Sequence, residues 1–157
     1  MWSHNKLSLY SISFLIYGIS FHLHAEGETL ADIKPSLSEG FKIALAQTSA
    51  ESGQALFMRK CSSCHDHEKT GGNGKGPPLW NLLNRKSGSV VGFDYSDAMS
   101  TAGVTWSYAN LNYYLTRVQR AIPDVKMEFR GLRRDKDRVK LLAFLRTLHD
   151  SPPALPK

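Results

Sequence analysis

The only two cysteines of the 157-residue chain stand in Cys61-Ser62-Ser63-Cys64-His65. A CxxCH run is the attachment pattern of a c-type haem. Two thiols three positions apart on an opening helical turn can bond two vinyl-derived carbons of one porphyrin. The next residue then places an imidazole over the iron, and the covalent anchors keep that ligand on a short tether. Three other chemistries also use close thiols. A thioredoxin-type redox pair needs a βαβ context, and none is read around residue 61. A zinc site needs a second pair of ligands, for which His67 alone is near. A plain disulfide fits an exported chain but closes a very small loop. Haem attachment is the expectation these residues support best.

One internal imidazole leaves the other axial position of the iron to be filled. The chain has four methionines. Met1 opens the N-terminal segment, Met58 lies just before the haem motif, and Met99 is expected in a loop. Met127 follows Pro123 in a rigid, non-helical approach, far enough along to cross the opposite haem face. His67 is too close to His65 to reach that face, and His149 ends a helix. Met127 is therefore the expected second ligand, giving one haem c with His65 and Met127 as its metal ligands. A thioether in place of a second imidazole favours ferrous iron and raises the reduction potential. With both axial positions filled there is no vacancy for oxygen or peroxide, so the chemistry expected is electron carriage. A peroxidase or gas sensor would need an open iron, and no catalytic residue is expected.

Several elements must position these groups. Thr48-Ser49-Ala50-Glu51 fits a capping box, and a helix is expected from there through Lys60, displaying Leu56 and Phe57. The segment from Thr70 to Gly92 is rich in Gly, Pro, Asn and Ser and reads as ordered loop. Such a loop suits a compact domain only if it wraps something large and apolar. A second helix is expected over Ser107 to Gln119, with Leu111, Tyr114, Leu115 and Val118 on one face and Pro123 barring continuation. The last runs from Asp135 to Leu148, burying Val139, Leu142, Leu145 and Leu148 at helical spacing. No strand is read, so the fold class is all-α.

Ahead of this domain, Leu7 to Leu23 carries no formal charge, Lys6 precedes it, and Leu23-His24-Ala25 offers a plausible cleavage point. Residues 1–25 are expected to be an export signal, cleaved or retained as a membrane anchor. Either reading places the remainder in the periplasm, soluble or attached to the outer side of the cytoplasmic membrane. Residues 26–49 are read as an extension or linker in which Phe41 to Ala46 can form a short helix, or which docks on the domain or a partner. Residues 50–150 form the domain and 151–157 a tail. Hydrophobic residues at 41% and charged residues at 22% exclude both a disordered chain and a multi-spanning membrane protein.

With the ligands placed, the chain from about Ala50 to Leu148 resembles a class I cytochrome c, most similar to the mitochondrial cytochrome c and bacterial cytochrome c2 branch. Gly53 and Phe57 precede the haem motif as in that family's first helix. Gly76-Pro77-Pro78-Leu79-Trp80, Arg85-Lys86-Ser87-Gly88 and Gly92-Phe93-Asp94-Tyr95-Ser96-Asp97-Ala98 follow. Gly103-Val104-Thr105-Trp106, Leu111 to Leu115, Ile122 to Met127 and Leu141 to Leu145 complete the series. The resemblance implies helices and ordered loops around one covalent haem. It implies that the Pro77 carbonyl accepts from His65 Nδ1, leaving Nε2 for iron. Tyr95 and Trp106 would donate to a haem propionate with Arg85 as a nearby cation, Tyr114 would approach Met127, and Phe129 would pack beside the haem edge. The last helix would cross the first at Gly53, with Phe57 against Phe144 or Leu141. Asp124 departs from the family, which commonly has Gly there, and must itself accommodate the turn. Met99 replaces a residue that is often polar.

The implied function is a shuttle of single electrons through an exposed haem edge. A quinol–cytochrome c oxidoreductase would be the donor, and a terminal oxidase or a photosynthetic reaction centre the acceptor. The alternative is a tethered subunit relaying electrons within one larger complex. From Ser52 onward there are 17 Lys and Arg against nine Asp and Glu. Lys60, Lys86, Arg120, Lys126, Arg133 and Arg134 are the candidate cationic ring that would steer an acidic partner. Arg138, inside the last helix, is expected to sit outside that ring. Nothing in the basic residues suggests nucleic-acid recognition.

Overall fold

Six helices and long loops make up residues 28–157, the part of the chain that the computed structural model describes. The hydrophobic segment and its cleavage point lie outside those residues. The helices are α1 (Glu39–Gln47), α2 (Ala50–Lys60), α3 (Asp97–Thr101), α4 (Tyr108–Thr116), α5 (Val118–Ala121) and α6 (Asp135–Thr147). Among the described residues the only β-type pairing is an isolated antiparallel bridge between Lys86 and Thr105, and the domain is all-α. No helix among them is long and apolar enough to cross a membrane.

The main packing is α2 across α6. Gly53 makes the crossing possible: a Cβ there would run into the Lys140 carbonyl oxygen and lie 2.7 Å from Phe144 Cβ. Around that point Phe57, Leu141 and Leu142 are almost wholly buried. The Phe57 and Phe144 rings lie 5.3 Å apart, tilted against each other. Burying each such side chain contributes about 1.5–3 kcal/mol, so this contact fixes the helix that ends at Cys61.

Three elements differ from the sequence expectation. The expected capping box does not form: Ser49 holds the N-cap position of α2 without a side-chain capping bond, and the Thr48 hydroxyl bonds back to Ala44 of α1. The helix expected over Ser107 to Gln119 breaks at Arg117, which is extended. The break follows from competition for carbonyls. Leu132 N–H donates to Leu115 O at 2.6 Å, and Gly131, at φ 94°, packs against the Thr116 carbonyl, so the end of α4 serves the later loop. Met99 is not in a loop but buried in α3, whose N-cap Ser96 bonds Met99 N–H.

The extension is docked rather than a free spacer. Phe41 and Leu45 of α1 are buried against the domain, and α1 packs on α6. Leu30 is buried and its N–H donates to Ala121 O at 2.8 Å. The tail is pinned as well: Pro153 O accepts from Arg146 Nε at 2.9 Å and from the Tyr108 hydroxyl at 3.3 Å, and Lys42 Nζ donates to Lys157 O.

Arg138 lies outside the cavity lining, and it is buried within α6. Its Nε donates to Asn112 Oδ1 at 2.7 Å, and its other nitrogens bond Leu132 O and the Asp135 carboxylate. It thus joins α4, α6 and the end of the loop carrying Met127.

Candidate haem site

A cavity of about 920 Å³ opens between these elements. That is at the upper end of the ~300–1,000 Å³ typical of ligand and cofactor sites. All ten expected haem-contact residues line it: Cys61, Cys64, His65, Pro77, Arg85, Tyr95, Trp106, Tyr114, Met127 and Phe129. Leu79, Leu82, Met99, Leu111, Leu115, Val125, Leu141 and Leu145 supply much of the apolar wall.

His65 enters just beyond α2, where Cys64 N–H and His65 N–H both donate to Cys61 O and keep the motif in one tight turn. Its Nδ1 lies 2.8 Å from Pro77 O. Burial lowers its pKa, opposed in part by the Pro77 bond, and the nearby Arg85 lowers it further. The ring is therefore held neutral, Nδ1–H donates to the carbonyl, and the Nε2 lone pair is left for a metal. Gly76 permits this approach: a Cβ there would lie 2.5 Å from His65 Cε1.

The two thiols are not joined to each other. Burial, with Cys64 beside it, pushes the Cys61 thiol up to about 11. Cys61 is thereby disfavoured as a free reactive thiolate. Among the described residues no group of three or more His, Cys, Asp or Glu side chains gathers as a metal-binding cluster. His67 instead packs against both the Phe57 and Phe144 rings, at 5.2 and 6.1 Å.

Met127 reaches the cavity on the loop after α5. Asp124 accommodates the turn at φ 61°, the left-handed region that Asp tolerates better than most residues. Gln119 Nε2 donates to Val125 O at 2.9 Å and to Met127 O at 3.2 Å, fixing the loop backbone. The Tyr114 hydroxyl donates to Met127 Sδ at 3.4 Å. Burial pushes that phenol well above its usual range, so it remains a neutral donor. Trp106 lies against Tyr114, ring centroids 5.0 Å apart.

Arg85 donates to Trp80 O at 3.1 Å and Pro78 O at 2.9 Å, which ties its guanidinium to the loop that carries Pro77. Burial lowers its pKa and the adjacent Tyr95 opposes that shift; burial raises Tyr95 in turn. A cation beside two aromatic donors in an apolar wall suits the carboxylates of a porphyrin. The residues present therefore fit a covalently held haem: two thiols, a neutral imidazole, a thioether and an apolar cavity of matching size.

Of the six expected partner-facing cations, Lys60 and Lys126 line this cavity. Lys126 Nζ also pairs with Asp94 Oδ2 at 2.6 Å. Arg120 stacks over the Tyr113 ring at 5.2 Å, Arg134 pairs with Asp137, and Lys86 and Arg133 lie away from the lining. Sequence reasoning missed Lys75, which lines the cavity from the glycine-rich loop. It also missed Gln119, whose role depends on the helix break at Arg117, and no sequence signal marks that break.

An all-α domain with a CxxCH motif opening into an apolar, thioether-bearing cavity defines a haem-binding protein of the c type. The family model for cytochrome c matches residues 50–149, and the chain belongs to the cytochrome c family, in its class I branch. A cytochrome c from Gibberella zeae is 45% identical over 94 residues, spanning 60% of this chain and 89% of the relative. One from Cochliobolus lunatus is 41% identical over 99 residues, spanning 63% and 92%. A cytochrome c2 from Rhodoblastus acidophilus is 41% identical over 95 residues, spanning 60% and 88%. Members of the family carry a covalently bound haem c and are electron carriers, not enzymes.

Proposed function

We propose that this chain shuttles one electron at a time between redox complexes, with His65 and Met127 as the axial ligands of its iron. The observation that carries this reading is the Tyr114 hydroxyl at 3.4 Å from Met127 Sδ, inside the cavity that His65 also lines. A thioether held there by a neutral donor is oriented as a ligand would be, and the bound haem would supply the one-electron couple. The chain's own residues would hold the group: His65 and Met127 would ligate its iron, Tyr114, Met99 and Val125 would exclude water, and Arg85 would offset its carboxylates.

Electrons would pass through the haem edge beside Phe129 to and from an acidic partner surface, steered by the cations around the cavity. A quinol–cytochrome c oxidoreductase suits the donor role, and a terminal oxidase or photosynthetic reaction centre the acceptor role. The place of action is the periplasm, with residues 50–150 as the working domain. The uncharged stretch from Leu7 to Leu23 supports a second reading, a tethered subunit relaying electrons inside one complex. The mass of the mature N-terminus separates the two: cleavage near Ala25 gives the free shuttle, and retention gives the anchored subunit.

The ligand assignment is tested with Met127→Ala. The ferric protein is expected to lose the weak far-red charge-transfer band of methionine ligation and to gain affinity for imidazole or cyanide. Unchanged oxidised and reduced spectra would mean that another group is the ligand.

A further inference from the structure

We infer that residues 28–47, which lie outside the segment shared with the family, form a strap that positions Met127 from a distance. The inference rests on Met127 being an iron ligand.

The strap meets the domain at α5, the four-residue helix from which the Met127 loop departs. Leu30 is buried there, and its N–H donates to Ala121 O at 2.8 Å. The preceding residue's turn is braced by its own bonds: Thr29 Oγ1 and N–H both donate to Asp32 Oδ2, at 2.6 and 3.1 Å. The Tyr113 hydroxyl donates to Glu28 O, and the guanidinium of Arg120, within α5, lies over the same Tyr113 ring. At its other end the strap is anchored by Phe41 and Leu45, buried where α1 packs on α6.

From α5 the connection to Met127 is direct. Gln119, two residues before Ala121, holds the Val125 and Met127 carbonyls through one amide nitrogen. A helix of four residues cannot hold its own geometry, because nucleation costs more than so few hydrogen bonds return. Extended Arg117 precedes it and Pro123 follows shortly after, so α5 has little helical support from either side. What steadies it is the strap's bond to Ala121 O together with the burial of the Val118 and Ala121 side chains. Loosening the strap therefore raises the population in which Gln119 swings and Met127 leaves the iron.

The test uses the full-length, haem-loaded protein. Leu30→Ala combined with Tyr113→Phe weakens the strap without touching the cavity. Asp150→Ala is the control for general destabilisation, since it cuts the bonds of Asp150 to Lys69, Trp80 and Asn81, away from α5. Imidazole should bind the ferric double variant about tenfold more tightly than wild type, because the Met127-off state is more populated. Amide exchange over residues 122–132 should quicken as well. Asp150→Ala should lower the melting temperature and leave both readouts unchanged. Wild-type imidazole affinity in the double variant, or an equal gain in the control, overturns the strap. If the double variant does not fold, Tyr113→Phe alone removes one oxygen and should give a smaller gain; no gain overturns the inference equally. A Met127→Ala spectrum identical to wild type would instead remove the ligand assignment beneath it.

Discussion

His65 is positioned by its immediate neighbours in the chain, whereas Met127 is positioned by segments far from it in sequence. The imidazole sits on the turn that ends α2, and its Nδ1 meets Pro77 O across a gap kept clear by Gly76. The thioether depends on Gln119 and Tyr114, on Arg138 at the far end of its loop, and on the strap behind α5. Local geometry survives partial unfolding; a constellation gathered from four segments opens as soon as one of them loosens. The Met127 side is accordingly the labile one, and most variants should register there first.

The largest effect is expected at the helix crossing that supports the His65 side. Gly53→Val should cost about 3 kcal/mol by overpacking, since even a Cβ meets the Lys140 carbonyl. Thermal unfolding of the holoprotein should show it, with the haem still attached. A melting temperature equal to wild type would mean that α2 and α6 do not cross at this glycine.

Arg138→Ala should come next, at about 2–3 kcal/mol, because Asn112 Oδ1 and the Leu132 carbonyl lose a buried charged donor. Its signature is asymmetric: the far-red band should disappear at a lower denaturant concentration than the helical signal. Coincident transitions would show the Met127 side to be no weaker than the rest. Gly76→Ala presses on the other side, with a Cβ 2.5 Å from His65 Cε1. It should cost about 1–2 kcal/mol and shift the ring resonances of His65 while leaving those of Met127 in place.

The smallest effect is at Asp150. Its bonds from Lys69, Asn81 and Trp80 lower its pKa from the usual 3.8 to about 2. A lowered folded-state pKa adds stability that is complete above 3.8 and is lost as pH falls through about 2. The melting temperatures of wild type and Asp150→Ala should therefore differ at neutral pH and converge near pH 2. A gap that persists at that pH would remove the carboxylate from the explanation.

The same division decides what could be read from the sequence. The CxxCH motif, the close approach at Gly53 and the limits of the last helix are local patterns, and each has a short-range physical cause. Asp124 was legible as a turn only through the resemblance, since the family commonly has Gly there, and its φ of 61° agrees. The break at Arg117 was not, since it depends on Leu132 taking the Leu115 carbonyl from a distance. The burial of Arg138 was hidden for the same reason: its partners on α4 and in the loop become neighbours only once α4, α6 and the loop have assembled. The strap had too weak a pattern of its own, and its buried Leu30 and Phe41 acquire meaning only against α5 and α6.

Replacing the proposed distal thioether by a second imidazole tests the account most directly. With Met127→His the reduction potential of the haem should fall, because imidazole favours ferric iron relative to thioether. A potential equal to that of wild type would contradict the assignment of Met127 to the iron.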